Sequence, residues 1–190
     1  MATEAHPPDQ DNVLLSRIAE GNEKALREFY ELFNKRVYAF ALSRLRDTAD
    51  AADVLNDVML EVWRNARRFE GRSRVLTWVL GIAHHKVIDK LRGRGRQTFV
   101  ELDPEIADEQ AVNAFDVVAG AGDAVIMRRC VESLPELQRA VVHLAFFEDL
   151  PYGEIAAIVE CPEGTVKTRM LRAKQLLREC VRRLSGGTPA

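Results

Sequence analysis

From Val13 onward, apolar residues recur every three to four positions, the period of a helix packed on one side rather than of a strand. Val13 to Ala19 reads as a short helix ended by Gly21. Asn22 is placed to cap the next one, whose apolar face is Ala25, Leu26, Phe29, Tyr30, Leu32 and Phe33, and Val37 to Leu45 continues helically. Asp47, Thr48 and Asp50 mark a break and a new cap. Ala52 to Phe69 follows as a long amphipathic helix carrying Val54, Val58, Leu60, Val62 and Trp63. Glu70-Gly71-Arg72-Ser73 is a turn, with Ser73 the expected cap of a helix over Val75 to Leu91 that dissolves at Gly93 and Gly95. After a polar interval, Asp123 to Ser133, Glu136 to Phe147 and a final helix pair complete the pattern. No run alternates with period two over strand length. The expectation is an all-α chain of two small helical domains, the second with a helix-turn-helix.

Charge sharpens the division. The formal net charge is only −2 over 190 residues, which alone argues against a nucleic-acid binder. Its distribution argues the other way. Gln97 to Met127 carries seven acids and no Lys or Arg, whereas residues 1–96 hold 17 basic and 14 acidic residues and residues 128–190 hold 10 and 8. Two mildly basic blocks flank an acidic segment in which Pro104, Gly120 and Gly122 predict a flexible tether, with Phe99 and Val100 briefly extended. Met1 to Asn12 is polar and has no apolar signal region. No stretch approaches the roughly 18 apolar residues of a bilayer span. A cytoplasmic protein without membrane insertion is expected. Cys130, Cys161 and Cys180 form no CxxC pair, so neither a zinc ribbon nor a disulfide framework is suggested, and each reads as a small buried apolar residue.

Tyr152 to Val159, a break at Glu160-Cys161-Pro162, and Glu163 to Arg172 have the layout of a helix-turn-helix. At about 100° per residue, Val166, Met170, Ala173 and Leu177 fall on one inward side. Thr165, Thr168 and Arg172 fall on another, flanked by Lys167 and Arg169. Thr and Arg can read base edges, and Lys and Arg can pair with phosphates. Pro162 suits the first turn of that helix. A surface helix hairpin in any helical protein would share the pattern.

The first block carries further chemistry. Lys86, Lys90, Arg92, Arg94 and Arg96 form a basic strip at a helix end, suited to phosphate contact or simply to the helix dipole. Thr77, Trp78, His84 and His85 lie just upstream, where an aromatic near cations can stack an unpaired base; Trp63 and Phe69 read as core. His85 and Asp89 have a spacing that could hold a metal, but no third ligand accompanies them, and a hydrolase built on His84, His85 and Asp89 is a weak alternative. Asp53, Asp57 and Glu61 line one helix face, either a solvated stripe or a docking face for a basic partner.

Together these segments resemble a family. Asp53-Val54-Leu55-Asn56-Asp57-Val58-Met59-Leu60-Glu61-Val62-Trp63-Arg64 is similar to the polymerase-binding helix of bacterial RNA polymerase sigma factors of the extracytoplasmic-function (ECF) group of the sigma-70 family. Phe69 to Ser73, Thr77-Trp78, Ile82-Ala83, Ile88-Asp89 and Leu91-Arg92 resemble the segment that melts and reads the minus-ten element. Leu134-Pro135 to Arg139 and Tyr152 to Arg172 resemble the domain that reads the minus-thirty-five element. The resemblance implies region 2 over residues 13–96, a linker over 97–122 that threads into the polymerase, and region 4 over 123–185. It implies polymerase binding by Asp53, Asp57, Glu61, Trp63 and Arg64. Minus-ten contacts would come from Arg74, Thr77, Trp78, His84, His85, Lys86, Asp89, Lys90 and Arg92, with an extruded base held next to Thr77 to His85. Minus-thirty-five contacts would come from Thr165, Lys167, Thr168, Arg169 and Arg172. The implied partners are core RNA polymerase, promoter DNA and an anti-sigma factor; no catalytic residue, metal or cofactor is implied, and the protein would not be an enzyme. A stand-alone helix-turn-helix regulator is the competing reading, and it leaves the first block unexplained. The chain departs from the family pattern at His84-His85, where Arg-Asn is usual, at Glu160, where the turn commonly has Gly, and at Gly153 within the first helix of the pair.

Overall fold

The computed structural model describes residues 8–95 and 121–185, and every regular element among them is helical. The acidic segment expected to be a tether, with Phe99, Val100 and Arg96, lies outside the described residues apart from the start of one helix.

In the first unit, α1 (Pro8–Ala19) begins five residues before the expected start. The break after it is set by two neighbours. Gly21 takes the left-handed conformation (φ 86°), and the backbone N–H of Asn22 donates to the carbonyl of Arg17 at 3.1 Å, closing α1. The Asn22 side chain then accepts from the N–H of Ala25 at 3.1 Å and caps α2 (Glu23–Leu45). Asp47 does the same for α3 (Thr48–Asn65), accepting from Asp50 N–H at 2.9 Å. A 3-10 turn, Ala66–Arg68, follows, and Arg67 Nε donates to the carbonyl of Ala19 at 2.6 Å. At α4 (Val75–Gly93) the expected cap is corrected: Arg74, not Ser73, occupies the N-cap position, with no side-chain capping bond. The helix also runs through Gly93 rather than ending at Leu91.

Helix α2 is the centre of this unit and packs against α1, α3 and α4. Phe29, Phe33 (ring centroids 4.4 Å apart), Val37, Phe40 and Ala41 are buried along it. They are joined by Leu15 and Ile18, by Val54, Val58 and Val62, and by Val79, Leu80, Ala83 and Val87. Each set repeats at three or four residues, the stripe a helix must bury to be stable at this length.

The second unit holds α5 (Ala121–Ser133), α6 (Glu136–Phe146), α7 (Tyr152–Ile158) as far as Ala156, and α8 (Glu163–Leu184). Helix α8 packs on both α5 and α6. Arg139 is buried, and its Nη1 donates to the carbonyls of Glu132 (3.1 Å) and Leu134 (3.0 Å), satisfying carbonyls at the α5 end that would otherwise be orphaned. The cysteine expectation is half corrected. Cys130 and Cys180 are buried, but as a disulfide that ties α5 to α8, with Cα atoms 5.6 Å apart; Cys161 lies outside that bond and is half-buried rather than buried. The two partners lie 50 residues apart, so no local spacing announced the bond.

Candidate nucleic-acid interface

Three surfaces carry the chemistry expected of this chain. On α3, Asp53 and Asp57 are exposed and Glu61 is half-buried, with Leu60 also exposed at 45% and Arg64 beside them; Trp63 is half-buried. An acidic face bordered by an exposed apolar residue is one that can pair with a basic surface.

The facing helix, α4, supplies the cations, and they do not stand alone. Lys86 Nζ lies 3.4 Å from Glu61 Oε2. Lys90 Nζ lies 2.9 Å from Asp53 Oδ2 and 3.1 Å from Asp50 Oδ1. Arg94 pairs with Asp50 and, at 3.3 Å, with Asp47, and it donates to the carbonyl of Leu45 at 3.2 Å. The acidic stripe of α3 and the basic strip of α4 therefore meet along one seam. Arg92 sits 3.7 Å from Asp89 one turn back, both exposed.

The residues upstream on α4 divide. Arg74 and His85 are exposed and Trp78 is half-buried, whereas Thr77 is 4% and His84 7% exposed. His84 is turned inward, and its Nδ1 lies 2.6 Å from Nη1 of Arg44, itself 2% exposed and with its guanidinium 5.3 Å from the Phe40 ring centre. A guanidinium can only donate, so Nδ1 is the acceptor and the ring proton sits on Nε2. Thr77 and His84 are thus parts of the interior. One cleft lies around the start of α4 and includes Trp78 of the Thr77 to His85 stretch. It has a volume of about 220 Å³ and is lined by Arg68, Phe69, Glu70, Arg72, Ser73 and Trp78. Phe69 and Trp78 form its aromatic wall, with ring centroids 5.3 Å apart and planes tilted by 53°, so Phe69 is a wall residue rather than the core residue expected. Arg72 pairs with Glu70 at the rim.

The third surface is α8. Val166, Met170, Ala173 and Leu177 are all buried, as its periodicity predicts. Pro162 sits at the N-cap rather than inside the first turn, and its carbonyl accepts from the N–H groups of Thr165 (2.9 Å) and Val166 (3.2 Å). Away from the core, Lys167 is exposed and pairs with Glu163 at 3.0 Å. Thr165, Thr168, Arg169 and Arg172 are half-buried. The Thr168 hydroxyl donates back to the carbonyl of Gly164 at 3.0 Å. Arg169 Nη1 lies 3.5 Å from Sγ of Cys161 in the turn. That turn is a Schellman closure: the N–H of Cys161 donates to the carbonyl of Ala156 at 3.2 Å, and Glu160 occupies the left-handed position (φ 50°) usually given to Gly.

Among the described residues, no three or more His, Cys, Asp or Glu side chains come together as a metal site, and no helix is long and apolar enough to cross a membrane.

Known proteins place this geometry. Residues 29–97 match the family model Sigma-70 region 2, and residues 124–177 match Sigma-70, region 4. The ECF RNA polymerase sigma factor SigK of Mycobacterium tuberculosis (strain H37Rv) is 30% identical over 173 residues, covering 90% of this chain and 92% of that protein. The chain belongs to the ECF RNA polymerase sigma factors. SigK of Mycobacterium ulcerans is 31% identical to this sigma factor over 178 residues, with 91% and 94% covered. Two solved structures share its fold. One is the sigma factor RpoE in complex with the anti-sigma factor NepR from Bartonella quintana (TM-score 0.64, 24% identity, 84% of this chain and 98% of that one). The other is CnrH in complex with the cytosolic domain of CnrY (TM-score 0.65, 19% identity, 94% and 99%). The region 2 match of this sigma factor takes in the α3 face, the aromatic cleft and α4; the region 4 match takes in the helix-turn-helix. Sequence reasoning did not single out Arg44 or Arg68, read Asp50 only as part of a cap and Leu60 only as part of an apolar set, and took in Arg72 only within the Phe69 to Ser73 segment. Leu60, expected among the apolar positions of α3, is 45% exposed instead.

Proposed function

We propose that this ECF sigma factor docks on core RNA polymerase through the α3 face, holds the melted minus-ten strand with α4 and the aromatic cleft, and reads the minus-thirty-five element with α8. The observation that carries the reading is the presence on one region 2 unit of an acidic α3 face, with Asp53 and Asp57 exposed and Glu61 half-buried, and of a cleft walled by Phe69 and Trp78 and lined by Arg68 and Arg72. An extruded base costs a few kcal/mol to unstack, and stacking on Phe69 and Trp78 with donors from Arg68 or Arg72 is the chemistry that offsets it. His85, Lys86, Lys90 and Arg92 would then follow the strand backbone, while Thr77 and His84 support them from inside. In the second unit, Thr165, Thr168 and Arg172 would meet base edges, and Lys167 and Arg169 the phosphates, with residues 97–122 joining the two units.

The protein acts in this reading as a specificity subunit and not as an enzyme on its own, works in the cytoplasm, and is held inactive by an anti-sigma factor. Support for the last point is that the sigma factor RpoE, which shares its fold, was solved in complex with the anti-sigma factor NepR. The test is a pull-down of core polymerase by the full chain. Asp53→Asn and Asp57→Asn together are expected to weaken capture about tenfold or more, while undiminished capture would remove α3 from the docking surface.

A further inference from the structure

We propose that the ion-pair seam between α3 and α4 is an autoinhibitory contact, through which docking of α3 on a basic surface releases Lys86 and Lys90 to promoter phosphates. This rests on the reading of α3 as the docking face and α4 as a DNA contact. Two of the three carboxylates assigned to docking are the ones that hold the lysines: Glu61 holds Lys86 at 3.4 Å, and Asp53 holds Lys90 at 2.9 Å. A carboxylate that pairs with an incoming cation gives up most of its hold on the lysine it already has. Both lysines are about one-third exposed, so a phosphate can reach them, and pairs of this exposure contribute only a factor of about two to five each. The seam is therefore weak enough to exchange. Asp50, the second partner of Lys90, is shared with Arg94, so Lys86 is the more fully released of the two. Linkage makes the effect reciprocal: whatever factor docking adds to strand affinity, strand binding adds to docking.

The experiment is fluorescence anisotropy of a labelled single-stranded oligonucleotide with the full chain, without polymerase. Glu61→Gln and Asp53→Asn are each expected to tighten binding by a factor of about two to five. Asp57→Asn removes the same charge from the same helix face, but Asp57 has no ion pair among the described residues, so it tightens binding less than half as much. Equal tightening by all three variants would mean a general field effect and would overturn the proposal, as would no tightening at Glu61. Lys86→Ala with Lys90→Ala, measured in the same way, separates the two ideas. If that double variant binds the strand as well as the parent chain, the DNA-contact reading of α4 fails. If the lysines matter but Glu61→Gln gains nothing, only the autoinhibitory contact fails.

Discussion

Arg44 on α2 and His84 on α4 meet 2.6 Å apart in the interior of region 2, forty residues apart in sequence. A guanidinium buried to this degree is costly unless its donors are used, and His84 takes one of them. His84 stands where the family usually has Arg, next to Arg44; a ring that accepts is a better neighbour for a buried guanidinium than a second cation. His84→Ala is expected to cost about 2 kcal/mol of region 2 stability, a lost charge-assisted bond plus a small cavity, read as a lower urea midpoint at unchanged slope. Unchanged stability with lost promoter opening would return His84 to the DNA surface.

The Cys130–Cys180 disulfide closes a loop of 50 residues between α5 and α8. On the chain-entropy account, a loop of this length contributes about 4 kcal/mol, and engineered examples often deliver less. Cys130→Ser with Cys180→Ser, or full reduction, is expected to lower the melting temperature of region 4 by roughly 10 °C or more while leaving region 2 unmoved. A differential scan that shows no change in either transition would remove the bond from the stability of this domain.

Glu160 sits at φ 50° at the end of α7. A left-handed conformation costs a residue with a side chain about 1–2 kcal/mol, part of which Gly would return as lost unfolded-state constraint. Glu160→Gly is expected to stabilise region 4 by about 0.5–1 kcal/mol. In α7, Gly153 has room for a methyl, since an added Cβ meets only Glu163 Oε2 at 3.6 Å. Gly153→Ala is expected to add up to about 1 kcal/mol. Chemical denaturation of the two single variants checks both.

On α8, loss of Arg172 and loss of Lys167 should differ in kind. A base-edge contact removed by Arg172→Ala costs about 1–3 kcal/mol and relaxes preference at one position. Lys167→Ala weakens binding about equally across sequences and lowers the salt slope by about one. Binding of the polymerase-bound chain to a set of single-substitution minus-thirty-five sites, at two salt concentrations, distinguishes them.

Much of this was legible from sequence because it is local. Asn22 and Asp47 announced their helices by capping bonds that span three residues, and the inward face of α8 follows from a single period. What was not legible depends on which helices become neighbours. The sequence showed Asp53 and Glu61 as one surface and Lys86 and Lys90 as another, but not that α3 and α4 lie side by side and pair them. The resemblance placed Thr77 and His84 on DNA, yet only the packing of α4 on α2 decides which side of the helix is interior. The aromatic cleft likewise depends on a neighbour: its wall is shared by the loop at Phe69 and the helix at Trp78.

The central claim is that this chain confers promoter specificity on core polymerase. Run-off transcription with reconstituted core enzyme and a library of promoter fragments tests it most directly. Discrete transcripts from a subset of promoters, dependent on the added chain and abolished by Trp78→Ala with Phe69→Ala, are the expected result. A chain that binds those fragments tightly by itself, never joins the core enzyme and yields no transcript would contradict it.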